Sequence, residues 1–306
     1  MADLFDRAHL RLLSLRGYRR HRIETPAGRV HAISAKGRGK KPLVVLHGLA
    51  AASHHYEGVL EGARDFASHV IGIDLLGHGL SDRPDTASFS GLEEALITSI
   101  DAVLEQVSSR RAAVVFGNSL GGAAAVRYAH RRAERVAGLF LVAPGGAPLS
   151  SPERAELLGR FDLHSHDKAL DFVDALFHRP HTFRQLLAWG TRRRFADPAI
   201  RALLDSHGDD ALAADNSLGP AELAGLSMPV HLLWGDADRI LPASSLGFFE
   251  EYLPSHATIE RVSHFGHVPH MDHGPDVMAR LRAFVSRVNA EEERSPAPRQ
   301  VSRTAP

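Results

Sequence analysis

Ala112-Ala113-Val114-Val115-Phe116-Gly117-Asn118-Ser119-Leu120-Gly121 passes from an apolar, β-prone run into a serine flanked by glycines, and Gly122 to His130 then reads as a helix. A serine on a strand-to-helix turn is the arrangement called a nucleophile elbow. The glycines admit a strained backbone and let helix and strand approach closely, so the hydroxyl stands free at the edge of a sheet. A serine hydroxyl is a poor nucleophile unless geometry and a neighbouring base activate it. The expectation is therefore a hydrolase-type enzyme with Ser119 as its nucleophile.

Working outward, Leu43-Val44-Val45-Leu46 is a compact β-prone run of the kind buried on both faces of a parallel sheet. Val70 to Ile73, Leu139 to Val142 and Val230 to Trp234 read the same way. Helical patterns lie at about Tyr56 to Phe66, Leu92 to Val107 and Gly121 to Arg132, and alternation of this kind predicts a mostly parallel sheet with helices on both faces. His21 to Thr25 and Arg29 to Ser34, joined by Pro26-Ala27-Gly28, read as a hairpin. After Val142 the alternation stops at Pro144-Gly145-Gly146-Ala147-Pro148, and the next stretch is helical, clearest at Asp162 to Phe177 and Phe183 to Arg193. Strand logic resumes at Pro229-Val230, and the last helix is expected over Met278 to Val288. The expected organisation is an N-terminal helical extension (1–20), a core formed by 21–145 and 226–289, a helical cap (146–225) and a disordered tail (290–306).

The chain of 306 residues suits one large α/β domain carrying an insertion. Acidic and basic residues balance at 36 each, so no bias toward nucleic acid appears. Cysteine is absent, which removes disulfides, thiol nucleophiles and thiolate metal sites. The N-terminal apolar residues are broken by Arg7, Arg11 and Arg16, giving neither a secretory core nor a membrane span. A cytoplasmic protein without stable membrane insertion is the expectation. Nothing sets an oligomeric state.

A serine nucleophile needs a base, an acid that orients the base, and donors for the developing oxyanion. His267, in Ser263-His264-Phe265-Gly266-His267-Val268-Pro269, follows a predicted strand at Thr258 to Val262 and is the candidate base. Asp238, in Trp234-Gly235-Asp236-Ala237-Asp238, follows another strand and is a candidate orienting acid, with Asp236 as its competitor. The N–H of Leu120, directly after the nucleophile, is the first expected oxyanion donor, and the second belongs to the loop after His47.

The ordered set His47-Gly48, Asp74-Leu75-Leu76-Gly77-His78-Gly79-Leu80-Ser81-Asp82, Ser119, Asp238 and Gly266-His267 resembles the α/β-hydrolase fold, in particular its capped esterase and lipase-like serine hydrolases. The resemblance covers about Leu43 to Val288, and the order serine, acid, histidine is the one this fold uses. It implies Asp238 as the acid, because it stands three residues after Gly235 with Pro242 four further on. Asp236 is then a turn-forming carboxylate. It also implies Leu49 as the second oxyanion donor, with Ala50 as the alternative. Asp74 to Asp82 is assigned to structure, with hydrogen bonds from Asp74 and His78 inside the loop.

The resulting expectation is hydrolysis of a carboxylic ester or related acyl bond in a small molecule with an apolar acyl or alcohol part, through an acyl-enzyme and without cofactor or metal. Gly117-Asn118-Ser119-Leu120-Gly121-Gly122 also resembles the elbow of carbon–carbon bond hydrolases of meta-cleavage products. The loop after His47 lacks their glycine run, and Val268 stands where they often carry tryptophan. A non-catalytic binding protein of the same fold is a further alternative. His264, His267, His270 and His273 recur every third residue, but Pro269 interrupts them and they are read as non-metal histidines. His54-His55 are read the same way, as solvated or helix-start histidines, with a place at the edge of the pocket near Leu49 as the alternative for one of them. Arg192-Arg193-Arg194 reads as a solvated helix face, with binding of a substrate carboxylate or phosphate as the alternative. Phe161, Leu170, Phe172, Phe177, Phe183, Leu186, Leu187 and Trp189 in the insertion are mostly assigned to its core, with a few of them left to line an apolar acyl pocket.

Overall fold

Short β-prone runs, continuous and apolar in the central strands, build an eight-stranded sheet in the computed structural model, which describes residues 4–83, 92–108, 111–206 and 216–294. Strands β1 (Arg19–Thr25), β2 (Gly28–Lys36), β3 (Leu43–Leu46), β4 (His69–Ile73), β5 (Ala113–Ser119), β6 (Val136–Pro144), β7 (Val230–Gly235) and β8 (Thr258–Val262) lie in the order β1-β2-β4-β3-β5-β6-β7-β8. The β1–β2 hairpin is antiparallel and pairs antiparallel with β4, whereas β4 through β8 run parallel. The chain reverses direction across the sheet at β3, so the loops after β3 and β5 flank a switch point, the usual crevice for ligands in open α/β sheets.

Alternate residues of the parallel strands feed two cores. Val44, Leu46, Val115, Leu139, Leu141 and Leu232 face one side, packed with helices α3 (Leu92–Ser108) and α4 (Leu120–Arg131). Leu43, Val45, Val114, Phe116, Phe140 and Leu233 face the other, packed with α1 (Leu4–Leu15) and α2 (Glu57–Ala63). Burial on both faces is why these strands read as continuous apolar runs.

Between β6 and β7 the chain forms α5 (Ser151–Phe161), α6 (His166–Leu176), α7 (Arg184–Phe195), α8 (Pro198–Ser206) and α9 (Pro220–Ala224). The expected helix from Asp162 starts later, at His166, because the Ser165 hydroxyl accepts the N–H of Lys168 and caps it there. Phe161, Phe172 and Phe195 stack in a small core that also takes in Ala50, Ile240 and Val268, so the inserted helices sit on the loops at the carboxyl ends of the strands. After β7 come α10 (Ala243–Tyr252), α11 (Pro269–Asp272) and α12 (Gly274–Arg294). Helix α12 is longer at both ends than the expected Met278 to Val288, and it takes Ala290 to Arg294 out of the predicted tail; residues 295–306 lie outside the described residues. None of the described helices is long and apolar enough to cross a membrane.

Candidate active site

Strand β5 runs directly into α4, and Ser119 at the junction has φ 54° and ψ −121°. A positive φ at a non-glycine residue costs of order 1–3 kcal/mol and persists only where the surroundings enforce it. The flanking glycines are that enforcement. A Cβ on Gly117 would lie 2.4 Å from the Gly121 carbonyl oxygen, one on Gly121 2.1 Å from the Leu46 oxygen, and one on Gly122 2.7 Å from Pro144 Cβ. Each glycine is thus required by close approach, Gly117 within the elbow itself, Gly121 against the end of β3 and Gly122 against β6.

Asp238 and His267 reach each other from the loops after β7 and β8. His267 Nδ1 lies 2.8 Å from Asp238 Oδ2, with the two side chains only 4% and 1% exposed. An ionised carboxylate only accepts, so Nδ1 carries the proton and Nε2 is left as an acceptor, the tautomer a general base requires. The other carboxylate oxygen accepts the N–H groups of Ile240 (2.8 Å) and Leu241 (3.1 Å), which fixes the carboxyl plane. Asp236 goes elsewhere: it is exposed and paired with Arg261 at 2.8 Å.

A buried hydrogen-bond network joins these loops to the elbow. The Asn118 amide donates to the carbonyls of Val142 (2.9 Å) and His267 (3.1 Å), and its Oδ1 accepts the Tyr56 hydroxyl at 2.7 Å. Tyr56 in turn accepts the Gly48 N–H at 3.0 Å. The loop after β3, the residue before Ser119 and the main chain of His267 are therefore held by two side chains. Sequence reading missed both roles. Asn118 carried the only signal, as a polar residue in an otherwise apolar strand.

Ser119, Leu120 and Leu49 line one cavity of about 750 Å³, whereas Ala50 lines a smaller one of about 310 Å³. The larger cavity runs from Ser119 between the sheet helices and the insertion, past Leu75 and Leu96 to Leu157, Leu158 and Leu204. Its volume and leucine lining suit an extended apolar group.

A family model for alpha/beta hydrolases matches residues 43–281. The chain belongs to the alpha/beta hydrolase family. It is 31% identical over 247 residues to the pimeloyl-[acyl-carrier protein] methyl ester esterase of Nitrosomonas europaea, covering 74% of this chain and 88% of that one. It is 26% identical over 256 residues to Lipase 3 of a Moraxella species, covering 80% and 77%. Among solved structures, a serine hydrolase from Cycloclasticus zankles superposes with TM-score 0.76 at 17% identity, over 88% of this chain and 98% of that one, a likeness of fold.

Other polar residues of this alpha/beta hydrolase have separate work. Asp74 accepts His31 (2.8 Å) and the N–H groups of Ser53 (2.7 Å) and Leu80 (2.9 Å). Burial pushes its pKa up, but these bonds and the neighbouring histidines outweigh that and hold it below the usual carboxylate range. Gly79 is required here too, since a Cβ would lie 2.2 Å from Asp74 Oδ2. His47 bridges the ends of β3 and β4, its Nε2 accepting the Leu75 N–H at 3.0 Å.

The histidine series disperses. His267 faces Asp238, His270 stacks on Tyr56 at 4.4 Å, and His264 and His273 meet each other near Asp276. His54 and His55 do not line the large cavity; they turn to Asp6 of α1, at 3.1 and 3.5 Å. Arg194 reaches the same carboxylate at 3.2 Å, and Arg192 donates to the His164 carbonyl. The arginine run therefore lies away from Ser119. Phe183, Leu186 and Trp189, from the series read above as mostly core, are 66%, 58% and 41% exposed and do not line the large cavity.

Proposed function

We propose that this chain is a serine hydrolase that cleaves carboxylic esters with an extended apolar acyl part through an acyl-enzyme. Ser119 attacks the carbonyl while His267 Nε2 takes its proton, and Asp238 stabilises the imidazolium that forms. The backbone N–H groups of Leu120 and Leu49 receive the oxyanion. The alcohol leaves with the proton from His267, and water activated by the same histidine then releases the acid.

The observation that carries this reading is the 2.8 Å bond from His267 Nδ1 to the dry Asp238 carboxylate, on a loop tied through Asn118 to the elbow of Ser119. The leucine lining of the cavity supports an apolar acyl group, and the relatives named as lipase and methyl ester esterase support an ester bond. The test is labelling by a fluorophosphonate together with turnover of p-nitrophenyl acyl esters of increasing length. Modification at Ser119 and loss of turnover in Ser119→Ala are expected; turnover retained by that variant rejects the mechanism.

A further inference from the structure

Helix α1 buries Leu10 and Leu13 against the sheet and turns a second apolar edge outward, with Phe5, Leu12 and Leu15 63%, 57% and 85% exposed. With exposed Ala8 these residues repeat at i, i+3, i+7 and i+10, a single stripe along a helix. Phe183, Leu186 and Trp189 form a matching exposed series, three residues apart, at and within α7. The two series join where Phe5 meets Trp189 edge to face at 6.1 Å. Large exposed apolar patches on a soluble chain mark interaction surfaces.

The charge along the two segments that carry this patch is one-sided. From Arg7 to Ile23 the chain carries Arg7, Arg11, Arg16, Arg19, Arg20 and Arg22 and no carboxylate. From Ala175 to Ala196 it carries Arg179, Arg184, Arg192, Arg193 and Arg194 and again no carboxylate, although the whole chain balances at 36 acidic and 36 basic residues. Arg16, Arg184 and Arg194 pair with Glu57, Asp174 and Asp6, while Arg7, Arg11, Arg179 and Arg193 are exposed. The Arg193 guanidinium lies 4.9 Å over the Trp189 ring, on the exposed side of α7.

We propose that this α1–α7 face docks on the surface of an anionic phospholipid bilayer. Aromatic and leucine side chains enter the boundary between headgroups and acyl chains, and the surrounding guanidinium groups meet lipid phosphates. The absence of carboxylates along both segments suits a uniformly anionic, fluid surface better than a protein of mixed charge and fixed shape. Docking is peripheral, because no described helix is long and apolar enough to span. The same face adjoins the loop after β3: Gly190, Arg193 and Arg194 share the smaller cavity with Ala50, Ala51 and Ala52.

The experiment is co-sedimentation of the full chain with vesicles of phosphatidylcholine alone or mixed with phosphatidylglycerol, with tryptophan emission read in parallel. Of the two tryptophans, Trp234 is 4% exposed and Trp189 41%, so an emission change on binding reports Trp189. Binding to the mixed vesicles with a blue shift is expected, with affinity roughly ten-fold or more lower on phosphatidylcholine alone. The double variant Leu12→Ser, Leu15→Ser should lose roughly ten-fold or more in vesicle affinity while keeping wild-type hydrolysis of a soluble short-chain ester. Failure to bind mixed vesicles, equal binding to both compositions, or unchanged binding by the double variant overturns the proposal. So does a lipid-free dimer that the double variant dissociates, which would assign the face to a second copy. These readouts are independent of whether Ser119 is the nucleophile.

Discussion

The Tyr56 hydroxyl donates to Asn118 Oδ1 at 2.7 Å, and this one contact couples the loop after β3 to the residue that precedes Ser119. Burial is the first cause, and it raises the tyrosine pKa well above its ordinary value, so the hydroxyl keeps its proton and stays a donor. Tyr56→Phe leaves the Gly48 N–H and Asn118 Oδ1 without their partner in a dry site. Stability should fall by about 1–3 kcal/mol. Turnover of a p-nitrophenyl ester should fall roughly 10- to 100-fold with little change in KM, because loop displacements well under a bond length misplace reacting groups. A variant with wild-type kcat would reduce the network to packing.

The two aspartates after β7 are separable by kinetics. Asp238→Asn replaces the carboxylate that fixes the His267 tautomer, and kcat should drop by about 10⁴-fold. Asp236→Asn loses only an exposed pair with Arg261 and should stay within about two-fold of wild type in activity, with a stability change under about 1 kcal/mol. Reversed effects would move the acid role to Asp236.

Chain-length preference should follow the cavity. Leu157 of α5 lines it on the side contributed by the insertion, so Leu157→Trp fills space beyond the reacting carbon. The ratio of kcat/KM for a long acyl ester over an acetyl ester should fall by roughly ten-fold or more, with the acetyl ester little affected. An unchanged ratio would place the acyl group outside this cavity.

Acid should destabilise the fold through histidines kept neutral by burial. His55, His78 and His270 are each pushed down to about 3 by burial, helped at His78 by His47 and at His270 by His267. Unfolded histidine titrates near 6.5, so between about pH 6.5 and 3 the unfolded chain binds more protons than the folded one. Stability is therefore complete above that window and falls as pH falls through it, by up to roughly 1.4 kcal/mol per pH unit for each such group. Asp74, held below the ordinary carboxylate range, adds a loss of the same sign at lower pH. Thermal melts from pH 7.5 to 5 should show Tm declining, and His270→Phe should flatten the slope. A Tm independent of pH across that range would contradict neutral burial.

The sheet was legible because its strands are buried on both faces and so appear as uninterrupted apolar runs, Leu43 to Leu46 being the plainest. The elbow was legible because its glycines stand at fixed short spacings about Ser119, and one of the contacts that demands them, Gly117 against Gly121, is itself local. Helix boundaries were less so: the Ser165 cap and the extension of α12 to Arg294 depend on single side chains and on packing rather than on periodicity.

What the sequence determined by itself was local: an α/β alternation, a serine on a glycine-framed turn, and an acid and a base standing after later strands. It favoured Asp238 over Asp236 without excluding the latter, left Trp189 between a core and a pocket lining, and left His54 and His55 between solvent and a pocket edge. Tertiary structure decided those points, because each depends on partners far away in the chain. Asp236 is drawn to Arg261, His54 and His55 to Asp6, and Trp189 to Phe5 at the surface. The period of a segment records which faces are buried, but only the folded chain supplies the partner that a buried polar group must find.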